Sequence, residues 1–483
     1  MFSEWIELLI SGSGVIDLPK LTVTGKEIGM LSGSGRLQWD SESNMLIHSY
    51  LPESKSALRN YYYSHFREDR RAGTLIQDHD FVQVTGFTDK GMEVTARSSE
   101  ISGIQPFSHV SSEICKLSVL SAKITQDVDR SARQDYVHAV FEPSLETWSR
   151  ESERHDDNPF MGGRSSSYDW LECDTGLGKV IARSHHTGHM HVMIRFSGVT
   201  SEDRVAAHID VVQQSMSFLL GRDSILRGYE SICSGGKKYV RLIQSPAWRT
   251  TDNNVPPPLD SRFDTRDLIE ALLACTIELF RSDKGQPVSN LLRLCRDSAD
   301  NSFESRIAIA CICLEGLLKI VFEPASMSDT GITPDEIDRV HEWLKANPPS
   351  IGDKLKERMK GLLSNINSRR PIDILHHLRT TGTLGVENED IQAWKDLRNT
   401  AAHARLSVPE NNIRKQLMID QHHRVQTLIN KVALHAMQYK GRYIDYGTRG
   451  WPCRAFPPSQ GTEYGDIAQI CDQPQTDADS NDK

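Results

Sequence analysis

The sequence lacks a hydrophobic run long enough to cross a bilayer. Its most apolar segment, residues 307–322, contains Glu315 and Lys319 and is shorter than the roughly 20 apolar residues that a membrane span requires. The first ten residues carry Glu4 and Glu7 but no Lys or Arg, so they lack the basic start of a secretory signal. We therefore expect a cytoplasmic protein with no membrane partner.

The cysteine and histidine patterns also lack a metal or disulfide signature. The nine cysteines form an odd set with no C-x-x-C pair, and several lie in apolar helical patterns, which indicates buried thiols in a reducing compartment. The histidines of residues 185–191 include His189 and His191, two apart on one predicted strand face, as zinc ligands can be. No Cys or carboxylate nearby completes a ligand set, which favours a polar strand face, and we predict no metal and no cofactor.

An overall excess of positive charge is missing as well. The formal net charge is −9, which argues against a protein covered by positive potential for nucleic acid. The charge is unevenly distributed, however, because residues 351–440 contain 15 Lys and Arg against nine Asp and Glu, a net of +6. Such a basic segment is compatible with local RNA contact, and equally with solvated helix faces.

The 483 residues predict two or three domains with more than one core. The N-terminal part contains short alternating runs separated by Gly-Ser turns, which is typical of a sandwich or barrel. His189–Phe196 alternates between a polar and an apolar face, and residues 252–260 contain three prolines, which indicates a stiff linker. We expect an α+β multidomain protein with a β-rich domain over 1–145, a mixed α/β segment over 146–258, an all-α helical bundle over 259–456 and an acidic disordered tail over 457–483.

Apolar residues recur with a period of about 3.6 beyond the linker and earlier at 205–220. Pro334 stands at the first position of one predicted helix, and Pro409 precedes the last one, as prolines do at helix starts. The spacing predicts helices at about 264–283, 287–298, 303–322, 334–346, 351–366, 389–406 and 410–438.

The helix predicted over 389–406 carries the constellation of greatest interest. At about 100° per residue, Trp394, Leu397, Ala401 and Ala404 form one apolar stripe, whereas Asn399 and His403 lie together on the opposite side. Arg398 lies at the edge of the stripe, about 140° from His403 on an ideal helix, so one rigid helix does not bring the two together. The long Arg side chain, a local bend or a second subunit must do so.

The segment Leu397-Arg-Asn-Thr-Ala-Ala-His403 resembles the R-x4-6-H signature of HEPN domains, in which a polar residue commonly follows the Arg. The helix Ile312–Ile320, which contains Glu315, is similar to the acid-bearing helix of those bundles, and the ending Tyr439–Tyr446 is similar to that of ApeA-type chains. The whole arrangement resembles the ApeA family of bacterial anti-phage abortive-infection proteins. The match is specific over about 300–446 and loose over 1–258.

The resemblance implies a metal-independent endoribonuclease, active as a homodimer or higher homo-oligomer that brings two motifs into one cleft. The chemistry fits these residue types: the imidazole of His403 moves a proton at the ribose 2′-OH or at the leaving 5′-oxygen, and the guanidinium of Arg398 stabilises the charge on the phosphoryl oxygens. Asn399 can hydrogen-bond the imidazole or the phosphate. The expected partners are an RNA substrate, with a tRNA or another single-stranded loop favoured, and a phage component as trigger.

Three alternatives stay open at this point. Glu315 either orients an active-site group or only pairs with a Lys or Arg of the bundle. The N-terminal region either senses a phage component or holds the nuclease inactive. The bundle itself is either the nuclease or a catalytically silent scaffold that binds a phage or host protein.

Overall fold

The structure is a computed structural model of the chain. The described residues are 14–26, 28–39, 44–52, 81–106, 113–127, 135–142, 170–184, 189–198, 200–233, 237–244, 255–259, 266–322, 334–346, 352, 355, 357–359, 370–402 and 411–458.

Among the described residues, twelve strands form one sheet in which every pairing is antiparallel, and two more form a separate hairpin. The strands are β1 (Val15–Gly25), β2 (Gly29–Trp39), β3 (Met45–Leu51), β4 (Val82–Phe87), β5 (Glu93–Pro106), β6 (Glu113–Asp127), β7 (Tyr136–Glu142), β8 (Trp170–Thr175), β9 (Gly178–Ser184), β10 (Met190–Phe196), β11 (Ile225–Cys233), β12 (Lys237–Ile243), β13 (Gly441–Ile444) and β14 (Cys453–Phe456).

The first six strands close into a barrel in the order β3-β2-β1-β4-β5-β6, because β3 also pairs with the first half of β6. The interior is filled by apolar side chains that are almost fully buried, among them Leu37, Ile47 and Leu117. Gly33 lets β3 approach closely, since a Cβ there would lie 1.9 Å from the carbonyl oxygen of Tyr50. The sequence-based expectation of a sandwich or barrel is confirmed as a barrel.

The second half of β6 continues the sheet beyond the barrel, through β12, β11, β7, β10 and β9 to β8. The predicted alternation along β10 is confirmed, because Met190, Val192, Ile194 and Phe196 are all buried. His191 on the other face is buried too, so this face also has a covered part.

The α-helices of the described part of the chain are α1 (Glu202–Leu220), α2 (Arg266–Arg281), α3 (Gly285–Asp297), α4 (Phe303–Phe322), α5 (Pro334–Ala346), α6 (Pro371–Thr381), α7 (Asn388–Ala402) and α8 (Asn412–Ala436). The prediction missed α6, although Pro371 at its first position and Gly382 with φ 67° just after its end are ordinary helix-boundary signals. The helix predicted over 351–366 lies mostly outside the described residues, and so does Pro409. Asn411 caps α8 instead, its side chain accepting a bond from the Ile413 backbone N–H at 2.8 Å.

The chain divides into two compact units, Met1–Arg306 and Ile307–Lys483, so the division lies within α4. The limits predicted at 145 and 258 do not coincide with it. In the first unit, α2 is held to the sheet because Oε1 of Glu270 accepts a bond from the Glu172 backbone N–H at 2.6 Å. Helices α2 and α3, which the sequence assigned to the C-terminal bundle, therefore belong to the unit that contains the sheet.

The proline-rich segment, predicted to be a linker between domains, is described over 255–259 and packs within the first unit. The Val255 backbone N–H donates to the carbonyl oxygen of Gly221 at 2.8 Å, and Leu259 is buried. The bonded Val255 thus ties the segment to the residue that follows α1, and the buried Leu259 belongs to the interior of the unit.

The second unit is helical, and its described helices pack around buried apolar side chains of α4, α6, α7 and α8, followed by the β13–β14 hairpin. Leu317, Leu375, Leu397 and Leu428 are each at most 2% exposed. The predicted acidic tail falls outside the described residues beyond residue 458.

Candidate functional site

Helix α7 exposes two of the three candidate residues. Trp394 and Leu397 are buried and Asn399 is exposed on the opposite side, as the predicted helical period required. Arg398, predicted at the edge of the apolar stripe, is exposed as well. The start of the helix is fixed by Asp390, whose Oδ2 accepts a bond from the Glu387 backbone N–H at 3.1 Å, in the manner of one half of a capping box.

Ionic and polar contacts hold α7 against α8. The buried carboxylate of Asp390 accepts a hydrogen bond from Nη1 of Arg424 at 2.9 Å and lies 4.0 Å from Nζ of Lys431. The same Nζ also donates to the carbonyl oxygen of Gly385 at 2.9 Å. Further along, Nε2 of Gln421 donates to Oδ2 of Asp396 at 3.3 Å. No sequence pattern singles out these residues, because Glu387 is not one of the residues that mark a capping box and the other contacts join distant parts of the chain.

The side chain of Arg398 reaches the neighbouring helix α4. Its Nε donates to Oε1 of Glu315 at 3.1 Å, and the two side chains are 48% and 28% exposed. An ion pair this exposed contributes at most about 1 kcal/mol to folding. Its main effect is geometric, because it fixes the plane of the guanidinium while the terminal amino groups have no hydrogen-bond partner among the described residues.

The other two predicted site residues differ in what the structure describes. Asn399 is exposed beside Arg398 on the same helix. His403 lies outside the described residues, since the described part of α7 ends at Ala402. The structure thus brings Arg398 together with Glu315 and places Asn399 next to them, and the role of His403 stays a prediction.

A cysteine lies next to this pair but is poorly suited to nucleophilic chemistry. Cys311 is buried on α4, one helical turn before Glu315. Burial is the main cause that raises the pKa of the Cys311 thiol to about 12, and the negative charge of Glu315 adds to it. The positive charge of Arg398 lowers this pKa, but by less. The thiol is therefore protonated near pH 7, and the reactive thiolate is scarce.

The histidine cluster that invited a zinc interpretation makes a different contact in the first unit. Nδ1 of His191 lies 3.0 Å from Nε2 of His138 on the adjacent strand β7, and both rings are buried. Burial lowers the pKa of His138 to about 4, with Glu230 raising it and Lys238 lowering it. Within the described residues no three His, Cys, Asp or Glu side chains are placed to share a metal ion, and His185 and His186 fall outside them.

Comparisons with protein-family models, with curated proteins and with solved structures found no match to this chain. None of the described helices has the length and apolarity to cross a membrane.

Proposed function

We propose that the chain is a metal-independent endoribonuclease of the HEPN type that acts in anti-phage defence. The observation that carries the proposal is the exposed Arg398 with its Nε bonded to Glu315 at 3.1 Å. A guanidinium oriented in this way and turned towards solvent is suited to bind a phosphate that approaches from outside. Exposure alone is ordinary for an arginine. What singles out Arg398 is its bond to Glu315 together with Asn399 directly after it and a histidine five residues later.

In the reaction, the imidazole of His403 accepts the proton of a ribose 2′-OH. The 2′-oxygen then attacks the adjacent phosphorus, the bond from phosphorus to the 5′-oxygen breaks, and the leaving oxygen takes a proton from the solvent or from the imidazole of a second subunit. The products are a 2′,3′-cyclic phosphate and a 5′-hydroxyl end. Arg398 stabilises the charge that accumulates on the phosphoryl oxygens, which is why the step needs no metal.

A second copy of the chain completes the site in this proposal. On an ideal helix, Arg398 and His403 lie about 140° apart, so one rigid helix does not by itself bring both to one phosphate. A twofold homodimer would place one copy of the motif opposite the other across a cleft. Two motifs in one cleft supply the Arg and the His from different directions.

The substrate in this proposal is a single-stranded RNA loop, with tRNA favoured. In-line attack requires the 2′-oxygen, the phosphorus and the leaving oxygen to align, and unpaired nucleotides adopt this geometry more easily than a helical duplex. The N-terminal region, which contains the barrel, would sense a phage component or restrain the nuclease before infection.

Substitution in the presence of EDTA tests this function. In the cleavage assay with EDTA, Arg398→Ala and His403→Ala should each abolish cleavage of total tRNA. In cells, each should abolish protection against phage. The melting temperature and the oligomeric state of each purified variant should stay unchanged. Lys395→Ala is the matched control, because Lys395 is another exposed cation on α7, and it should retain cleavage. If His403→Ala keeps full cleavage and full protection, the nuclease assignment fails and a silent HEPN scaffold that binds a phage or host protein is favoured.

A further inference from the structure

A tryptophan in the C-terminal hairpin occupies an unusual backbone conformation. Trp451 has φ 52°, in the left-handed region that bulky residues rarely adopt, and it is 54% exposed. It lies in the turn between β13 and β14, directly after Gly450. A large aromatic side chain kept exposed in a strained turn calls for an explanation other than packing.

Hydrogen bonds across the turn hold this conformation. The Trp451 backbone N–H donates to the carbonyl oxygen of Thr448 at 3.1 Å, and the Asp445 N–H donates to that of Pro452 at 3.0 Å. The Asp445 carboxylate accepts a bond from the Thr448 hydroxyl at 2.9 Å and pairs with Arg454 at 2.8 Å. The turn is thus cross-linked on both sides of the tryptophan, and its backbone is preorganised.

Two further rings fix the orientation of the indole. The centroid of Tyr446 lies 5.5 Å from that of Trp451 at 64°, and the ring of His423 on α8 lies 6.2 Å away at 83°. Burial lowers the pKa of His423, so its ring is neutral near pH 7 and serves as a packing surface. More than half of the tryptophan still faces solvent.

The charges of the hairpin complement a polyanion. Residues 439–458 contain four basic residues, Lys440, Arg442, Arg449 and Arg454, and one acidic residue, Asp445, for a net of +3. Asp445 is buried and paired with Arg454, whereas Arg449 and Lys440 are exposed. Exposed aromatic rings among Lys and Arg are the combination that proteins use to bind single-stranded nucleic acid.

We propose that Trp451 is a stacking platform for an unpaired RNA base, with Arg449 contacting the neighbouring phosphates. The proposal rests on the ribonuclease function and adds to it a place where the substrate is held outside the cleavage site. Gly447 of the hairpin donates its N–H to Thr427 of α8 at 3.0 Å, and Gln421 of the same helix bonds Asp396 of α7, two residues before Arg398. Helix α8 therefore connects the platform to the helix that carries the candidate site.

Binding of two probes to the full-length His403→Ala protein separates stacking from charge. One probe is a fluorescent oligoadenylate, whose bases are unpaired, and the other is an abasic oligonucleotide of the same length, which has the phosphates but no bases. Trp451→Leu keeps apolar bulk but removes the aromatic ring, and Trp451→Phe restores a ring. Trp343→Leu is the matched control, because Trp343 is 53% exposed on α5 of the same unit.

Trp451→Leu should weaken oligoadenylate binding about 5- to 30-fold and leave binding of the abasic probe unchanged, since base stacking is what it removes. Trp451→Phe should recover most of the affinity, and Trp343→Leu should bind both probes normally. Arg449→Ala should weaken both probes and reduce the salt dependence of binding by about one phosphate contact. Thermal melting of each variant establishes that the second unit is folded.

The proposal is overturned if Trp451→Leu binds oligoadenylate as tightly as the parent, if it weakens both probes equally, or if the parent binds neither probe. Cleavage by the wild-type chain is measured separately. If the wild type cleaves RNA but Trp451→Leu does not weaken binding, the platform is refuted and the nuclease is not. Binding that depends on Trp451 without any cleavage refutes the nuclease and leaves the platform standing.

Discussion

The guanidinium of Arg398 and the carboxylate of Glu315 meet at 3.1 Å although the two residues are 83 positions apart in the chain. The bond joins α4 to the exposed face of α7. Because both side chains are partly exposed, the contact adds little to folding and much to the orientation of the guanidinium.

Glu315→Gln should therefore lower activity more than stability. The amide keeps an oxygen acceptor but loses the charge, so the guanidinium is held less firmly in its reactive orientation, and we expect cleavage to fall about tenfold. The free energy of unfolding should fall by less than about 1 kcal/mol. Steady-state cleavage and denaturant unfolding check both parts.

Glu389→Gln is the matched control, since it removes one exposed carboxylate from the first turn of α7 without touching Arg398. It should leave cleavage unchanged. Equal losses of activity in Glu315→Gln and Glu389→Gln would indicate a general effect of charge and refute the orienting role.

Leu397 and Leu417 provide a second comparison, between the core and the surface of the helical unit. Leu397 is 2% exposed next to Arg398, and Leu417 on α8 is 56% exposed. Leu397→Ala should cost about 2–5 kcal/mol of unfolding free energy because it leaves a cavity, whereas Leu417→Ala should cost less than about 0.5 kcal/mol. Urea denaturation followed by circular dichroism measures both, and similar costs would contradict the described packing of α7.

Local patterns in the sequence predicted much of the fold. The alternation along β10 and the 3.6-residue period of α4 and α7 depend on neighbouring residues, and both predictions are confirmed. The exposure of Asn399 followed from the same period, which placed Arg398 only at the edge of the apolar stripe. These features are readable because the faces of a strand or helix are set by the period alone.

Long-range contacts were beyond the reach of such patterns. Closure of the barrel pairs Leu51 with Glu113, and the division between the two units depends on α2 meeting β8 through Glu270 and Glu172. The sequence marked Glu315 as an acid on an apolar helix, but two interpretations remained because its partner lies 83 residues away. Trp451 carried no signal of its own, because its strained conformation and exposure exist only in the folded turn.

The buried pair His138 and His191 predicts a pH-dependent stability of the first unit. In the folded chain, the pKa of His138 is lowered from 6.5 to about 4. At a pH between these two values, the unfolded chain therefore binds more protons than the folded chain. The stabilisation is present above pH 6.5 and is lost as the pH falls from 6.5 towards 4. Between pH 7 and pH 5 the loss should be about 2 kcal/mol.

His138→Gln isolates this contribution, because the amide does not titrate and can still hydrogen-bond His191. The urea midpoint of the variant should change less between pH 7 and pH 5 than that of the wild type. His48 and His208, whose pKa values are also lowered in this unit, titrate equally in both proteins and cancel in the difference. An identical pH dependence in the two proteins would show that His138 is not buried in its neutral form.

The proposed dimer predicts that two inactive chains complement each other. If the Arg and the His of one site come from different subunits, mixing and re-equilibrating equal amounts of Arg398→Ala and His403→Ala chains yields heterodimers in which one Arg398 meets one His403. About half of the dimers would be mixed and each would hold one of two sites, so the mixture should recover about a quarter of the wild-type cleavage. A nuclease whose site lies within one subunit would stay inactive in the mixture.

The most direct test of the account is the chemistry of the RNA ends that the purified wild-type protein produces from total tRNA in the presence of EDTA. We predict fragments that carry a 2′,3′-cyclic phosphate and a 5′-hydroxyl, absent when Arg398→Ala or His403→Ala replaces the wild type. Fragments with a 5′-phosphate, or cleavage that appears only after a divalent metal is added, would contradict the proposed reaction.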